Sequence, residues 1–414
     1  MELEVINTGS ELLLGNVVNT HLSFLGRALF PLGFRISRQI AVPDGEAIRG
    51  VLLEAFERSE IVLVTGGLGP TTDDVTREIT ADLLGMKLLF NAEVMTAIEA
   101  RFARRGLVVS DRIQRQAMIP NGALILVNPN GTAPGLYFNL QNRESDSAIR
   151  HLFLLPGPPR ELIPMFNEIV VPILKDILPQ SEPAQCRIYR IVGLGESQVE
   201  ALVGESLLAI KGLELGYCAR PGEVELRIIG SASVLDQAED FILSVLKSNI
   251  VSRDQNTLEQ VVINQLVNQN KTIAVAESCT GGFLSNRFTN VPGASLVFLE
   301  GFVTYANESK IRELQVDVGM IERHGAVSAE VAVAMAEGAL RVSGSDYALS
   351  TTGIAGPGGG SLEKPVGTVF IALALKQGEP VVERHLFPTD RENFKWLASQ
   401  AALDLLRRTL SELK

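Results

Sequence analysis

Ser278 and Cys279 sit in the run Ala276-Glu277-Ser278-Cys279-Thr280-Gly281-Gly282, where an apolar stretch gives way to glycine. A hydroxyl or thiol at a strand-to-helix junction meets the unpaired N–H groups of the first helical turn, which suit an anion or a developing oxyanion. Both side chains qualify as nucleophiles by position, with Gly281 and Gly282 as the backbone a substrate would touch. The run lacks the G-x-S-x-G pattern, so the elbow of the α/β-hydrolases is excluded. No histidine lies in a neighbouring strand-end loop; His21, His151, His324 and His385 are scattered. A serine without histidine needs another base, and a desolvated lysine is the usual substitute. Lys310 follows the next strand and is the candidate, Lys364 is the second choice, and Tyr305 is placed to relay or orient the proton. The glycine-rich run 351–360, which contains Thr352 and Gly353, reads as a pocket for a carbonyl or phosphate, or as a mobile loop. Arg391 either binds phosphate or sits on the surface.

A second glycine run, Thr65-Gly66-Gly67-Leu68-Gly69-Pro70-Thr71-Thr72-Asp73-Asp74, follows a short apolar stretch and precedes a helix. Open α/β sheets place ligands there, and glycines let backbone N–H groups approach an anion. The run matches neither G-x-G-x-x-G nor a P-loop. Two adjacent carboxylates would repel a phosphate, so Asp73 and Asp74 make sense as ligands of a divalent metal, Mg²⁺ by its chemistry, beside a pyrophosphate. The alternative is a helix cap with glycines serving a turn. The loop from Gly9 to Asn16, with Ser10 and Glu11, and the loop 130–135 could face the same cleft.

These residues need strand ends to hold them. Residues 3–7, 61–65 and 151–155 read as buried strands, and 21–30 and 45–58 as helices, the latter with Ile48, Leu52, Ala55 and Phe56 at helical spacing. Such alternation predicts an α/β block over 1–180 with a mostly parallel sheet covered on both faces. A composition shift at 179–184 reads as a linker. Residues 184–250 then read strand, helix, two strands, helix, a small α+β piece. A second α/β block spans 257–414, with strands at 271–276, 296–305, 347–352 and 368–375 and a closing helix at 392–408. The fold class is α/β: two three-layer α/β/α domains joined by a small α+β domain.

Composition bounds the function. The chain has 414 residues and a formal charge of −11, which disfavours nucleic acid as the main partner. Three cysteines without C-x-x-C make no disulfide framework, and zinc-ligand spacing is missing. No apolar run approaches about 18 residues and the N-terminus has no basic region, so the expectation is a cytoplasmic protein that does not span a membrane.

The motifs together carry a resemblance. GGLGPTTDD (66–74), GSELLLG (9–15), NPNGTAPG (128–135) and LPGPPRE (155–161) resemble the N-terminal domain of the competence/damage-inducible CinA family, which has a molybdopterin-binding-like fold. AESCTGG (276–282), VTYANESK (303–310), GAVSAEVAVAMAEG (325–338) and TGIAGPGGG (352–360) with EKPVGTV (363–369) resemble its C-terminal domain. The resemblance implies a nicotinamide-nucleotide amidase that turns nicotinamide mononucleotide (NMN) into nicotinate mononucleotide and ammonia, with no cofactor. Ser278 would be the nucleophile, Tyr305 and Lys310 its activating pair, Thr352 and Gly353 the holders of the amide or its oxyanion, and Arg391 the phosphate ligand. It also implies a metal-dependent ADP-ribose pyrophosphatase in the N-terminal domain. There Asp73 and Asp74 would hold metal, and Gly66, Gly67 and Gly69 the pyrophosphate, with Thr71, Ser10, Glu11 and Asn16 lining the substrate. The middle piece resembles the family's KH-like domain but has no G-x-x-G clamp in 184–250, which points to a spacer or dimerisation role and a homodimer. Asn19-Thr20-His21 stands where the family usually reads Asp-Thr-Asn, so one carboxylate is missing near the first site. Thr389-Asp390-Arg391 and Lys395 replace Gly-Asp-Arg and a following Arg. The rival reading is a non-catalytic, nucleotide-binding protein acting through partners in competence or DNA repair.

Overall fold

The computed structural model describes residues 1–140, 148–177, 184–254 and 256–412. It divides into two compact units, Met1–Ala184 and Gln185–Lys414. Apart from Ala184, the expected linker at 179–184 lies outside the described residues.

In the first unit the strands are β1 (Leu3–Thr8), β2 (Ile36–Val42), β3 (Ile61–Thr65), β4 (Leu88–Phe90), β5 (Met118–Pro120), β6 (Leu124–Leu126), β7 (Gly135–Asn139) and β8 (His151–Leu155). Six form one sheet in the order β2-β1-β3-β8-β7-β6, while β4 and β5 pair separately. β1, β3 and β8 are buried at every residue, as their apolar runs predict. Helices His21–Leu29 and Pro159–Met165 cover one face and Ala47–Arg58, Thr76–Leu83 and Ala92–Ala103 the other, giving two separate apolar cores. Helix Ala47–Arg58 buries Ile48, Leu52, Ala55 and Phe56. Thr65 pairs with Asn7 on one side and Leu155 on the other, so three central strands end level and release their loops at one edge.

The second unit carries two sheets. β9 (Gln185–Val192), β10 (Glu214–Arg220), β11 (Glu223–Gly230) and β12 (Ile250–Ser252) form an antiparallel sheet, β10-β11-β9-β12, that shares one core with helices Glu196–Leu208 and Ala232–Leu246. The other sheet runs β14-β13-β15-β16-β17, from β13 (Ile273–Glu277), β14 (Phe298–Val303), β15 (Tyr347–Gly353), β16 (Thr368–Leu375) and β17 (Val381–Leu386). The sheet expected to be mostly parallel in the first unit is so at its centre, but both large sheets have an antiparallel end. β6, β7 and β8 pair antiparallel, as do β15, β16 and β17, so the first sheet has three parallel and two antiparallel pairings and the second has two of each. Strand β17, absent from the sequence reading, has three consecutive polar residues, Glu383, Arg384 and His385, and ends the sheet. Helices Leu258–Asn268, Phe283–Thr289 and Arg391–Glu412 share the apolar core of one face, and Ala329–Ser343 packs on the other. Among the described residues, no helix is long and apolar enough to cross a membrane.

Candidate active site

Ser278 follows the last residue of β13, and its N–H donates to the Thr351 carbonyl at 2.9 Å. This pins the nucleophile's turn to the neighbouring strand. Lys310 lies inside helix Asn307–Leu314 and is only 1% exposed, an uncommon state for lysine. Its Nζ is 3.1 Å from Ser278 Oγ, 2.8 Å from the Thr304 carbonyl and 3.2 Å from that of Tyr305. Burial pushes the Lys310 pKa down from its ordinary value, because the charged form loses its hydration. The structure therefore brings the serine and the lysine together. Lys364 is turned elsewhere and donates to the His324 carbonyl at 2.9 Å. Cys279 is buried, and burial drives its thiol pKa up to about 12, which removes it as a thiolate nucleophile.

The remaining C-terminal candidates fall into two groups. Arg391, at the start of the last helix, donates to the Tyr305 hydroxyl at 2.9 Å and to the Gly356 carbonyl at 3.2 Å. Tyr305 thus offers its main-chain carbonyl to Lys310 and its hydroxyl to Arg391, and its side chain is exposed. Thr352 is buried with its hydroxyl donated to the Ala326 carbonyl at 2.7 Å. At Gly353 an added Cβ would stand 2.7 Å from the Thr368 carbonyl oxygen, so only glycine fits there.

One expectation is overturned by the geometry. The helix N-terminus after Ser278 does not offer free N–H groups to an oxyanion, because Glu277 fills it. This fully buried carboxylate accepts from the N–H groups of Gly282, Leu284 and Ser285, and the Gly281 N–H donates to the Ser278 carbonyl. Gly281 and Gly282, with φ of 60° and 93°, shape the turn instead of binding substrate through their amides. Sequence reasoning missed Glu277. The signal was a carboxylate directly before a glycine-rich helix start.

In the first unit the loops after β1, β3 and β8 and the loop at 132–133 do converge. They enclose a cavity of about 560 Å³ lined by Gly66, Gly67, Gly69, Thr71, Asp73, Asp74 and Glu11 among others. A Cβ on Gly67 would collide with the Thr76 hydroxyl, so the close backbone path demands glycine. Asp74 accepts from the N–H of Thr71 at 3.0 Å and from its hydroxyl, which closes the turn. Ser10 and Asn16 are not on the cavity wall. Ser10 donates its N–H to Asp44 at 3.0 Å, and the Asn16 N–H goes to the Glu11 carbonyl. Asp44 and Glu161, unnoticed in the sequence, do line it. Asn19 and His21 line it too, joined to a neutral polar network. Asn19 donates to Asn7 at 2.9 Å, Asn7 to Thr65 at 2.8 Å, and His21 Nδ1 lies 3.0 Å from the Thr65 hydroxyl. Burial lowers the His21 pKa, so this floor carries no charge at neutral pH.

Among the described residues, no group of three His, Cys, Asp or Glu side chains forms a metal cage. Asp73 and Asp74 both line the cavity, and two carboxylates are the number an ion of the Mg²⁺ kind takes when substrate phosphate oxygens complete its shell.

Comparison with known proteins covers nearly the whole chain. Residues 4–176 match the family model described as Probable molybdopterin binding domain, 186–253 the Damage-inducible protein CinA KH domain, and 255–410 the CinA C-terminal domain. A CinA-like protein of Akkermansia muciniphila is 45% identical over 403 residues, covering 97% of this chain and 96% of that one. A CinA-like protein of Koribacter versatilis is 42% identical over 418 residues, covering 99% and 100%. The crystal structure of competence/damage inducible protein CihA from Agrobacterium tumefaciens is 37% identical, covers 37% of this chain and 93% of that one, and has a TM-score of 0.36.

Proposed function

The chain belongs to the CinA family, and on that premise we propose that it is a hydrolase that converts NMN and water into nicotinate mononucleotide and ammonia. The observation that carries this reading is the buried Lys310 amine 3.1 Å from Ser278 Oγ, in a site without histidine. Ser278 Oγ attacks the carboxamide carbon as its proton passes to Lys310. The tetrahedral adduct collapses, Lys310 returns the proton to the leaving nitrogen, and ammonia departs. Water, deprotonated by Lys310, then cleaves the acyl-serine and releases the carboxylate. Arg391 stands exposed beside this site and supplies a cation for the nucleotide phosphate. Thr352 and Gly353 would hold the amide end through main-chain groups, since the Thr352 hydroxyl is already donated to Ala326. The test is ammonia release from NMN by the full chain, with Ser278→Ala as the control; equal rates in the two overturn the reading.

A second activity is supported by the glycine-lined cavity of the first unit. We propose that it takes ADP-ribose and cleaves the pyrophosphate to AMP and ribose 5-phosphate. Gly66, Gly67 and Gly69 would cradle the pyrophosphate, with Asp73 and Asp74 holding the divalent ion. When bound, that ion supplies charge neutralisation and an activated water. AMP formation with Mg²⁺ should vanish in Asp74→Asn. A wild-type chain that binds ADP-ribose without cleaving it would leave this cavity a nucleotide-binding module. Both units would then serve small phosphorylated nucleotides, in a homodimer.

A further inference from the structure

Glu277 is the last residue of β13 and the neighbour of Ser278, and it is fully buried. Its Oε2 accepts from the N–H groups of Gly282 and Leu284, both at 3.0 Å. Its Oε1 accepts from the Ser285 N–H at 2.8 Å and the Ser285 hydroxyl at 2.6 Å. Four donors saturate the acceptor sites of one ionised carboxylate. A buried charge with that many donors is stabilised, and a neutral substitute of the same shape is not, because every partner is a donor. The main chain of Glu277 does a second task. Its carbonyl accepts the Thr304 N–H at 2.8 Å, and the Thr304 carbonyl is one of the acceptors of Lys310 Nζ. The side chain therefore fixes the turn that carries the hydroxyl, and the main chain fixes the strand end that holds the base.

We propose that Glu277 is the positioning residue of the amide-cleaving site: its ionised carboxylate, by gathering the 282–285 donors, keeps Ser278 Oγ in register with Lys310 Nζ. It touches no reacting atom. The proposal rests on Ser278 being the nucleophile, and it does not require NMN to be the substrate. Glu277→Gln preserves volume but turns an NH₂ toward backbone N–H groups, so at least two donors lose their acceptor and the 278–282 turn shifts.

The test uses the full chain and a fluorophosphonate probe, which reacts with activated serines, with mass spectrometry to locate the adduct on Ser278. Ammonia release from NMN is followed in parallel. In Glu277→Gln the labelling rate and kcat should fall together by about tenfold or more, since ångström-scale misplacement of reacting groups costs up to about 10²-fold, while KM is unchanged. Ser285→Ala removes one donor and leaves the carboxylate, so labelling should slow by about two- to fivefold, the scale of one modest hydrogen bond. Wild-type labelling in Glu277→Gln, even with a lowered melting temperature, overturns the proposal. Wild-type labelling in Ser285→Ala overturns it where Glu277→Gln fails to fold. A wild-type chain that is labelled at Ser278 but releases no ammonia overturns the NMN reading, while slower labelling in the two variants still upholds Glu277. Absence of both labelling and ammonia release in the wild type overturns both.

Discussion

Replacing Lys310 with methionine removes the base and almost nothing else. The two side chains are similar in length, and Lys310 is already sheltered from water. General-base removal typically costs 10²–10⁴-fold in rate, equivalent to about 3–5 kcal/mol in the barrier. The competing effect is on stability. The carbonyls of Thr304 and Tyr305 lose a donor, at about 1–3 kcal/mol for each one left unsatisfied, but the chain no longer has to bury an amine. The expected protein is folded and at least a hundredfold slower. The assay is ammonia release coupled to a dehydrogenase, from pH 6 to pH 10. Lys310 must be neutral to take the serine proton, and burial lowers its pKa from 10.5. The wild-type rate should therefore rise with pH and level off below that ordinary value, whereas Lys310→Met should show a flat, low profile. The linked stability effect has a definite sign. Between the lowered folded pKa and 10.5 the unfolded chain binds more protons, so raising pH through that window favours folding, and the methionine variant loses this gain. A Lys310→Met rate within tenfold of wild type, or a wild-type rate flat across the whole range, refutes the assignment.

Three other outcomes are expected. Cys279→Ala should keep its ammonia release, and wild type should resist iodoacetamide at that position until unfolded, because the thiol is buried with a pKa near 12; peptide mapping after labelling checks this. Glu383 is held down to about 2, first by its hydrogen bond from His385 and then by Arg408. Its stabilisation is present above the unfolded value of 4.5 and is lost as pH falls from there to about 2, on the order of 2–3 kcal/mol for a shift of this size. Glu383→Gln should flatten that segment of the acid-unfolding curve. Arg287 is buried against Glu259 at 2.5 Å, Ser399 at 2.8 Å and Gln400 at 2.6 Å, with its guanidinium over the Trp396 ring. Arg287→Met leaves the half-buried Glu259 without its ion-pair partner, at a cost of up to about 3 kcal/mol, which urea unfolding would register as a lower midpoint.

Much of this site was legible in the sequence because its parts lie at strand ends. Runs such as Ile61–Val64 and Ile273–Ala276 lie in strands buried at every residue and announce themselves as short apolar stretches shortly before glycine pairs. The absence of histidine near Ser278 pointed to a lysine, and Lys310 is there. What escaped was tertiary. β17 is an edge strand with no buried residue, and its polar run Glu383-Arg384-His385 breaks the period-two pattern, so the segment reads as a surface loop. Whether the Gly281 and Gly282 amides are free depends on where the Glu277 carboxylate folds back, which no local pattern encodes. Likewise, Ser10 turns to Asp44 and leaves the cavity wall, a pairing 34 residues away along the chain.

The two carbonyls around Lys310 have a consequence for how a proton moves. A neutral amine has two hydrogens and one lone pair, and an ammonium has three hydrogens. Thr304 and Tyr305 can each take one hydrogen in either state, so the third direction on Nζ is left for Ser278 Oγ. Before the transfer that direction holds the lone pair, receiving the serine hydrogen; afterwards it holds that same hydrogen, beside the oxygen now bonded to the substrate carbon. Neither main-chain partner is exchanged during this first transfer, and the hydrogen gained is then the one passed to the leaving nitrogen. The lysine acts as a fixed tripod with two legs anchored in the main chain, so the exchange reduces to one hydrogen hopping along one line.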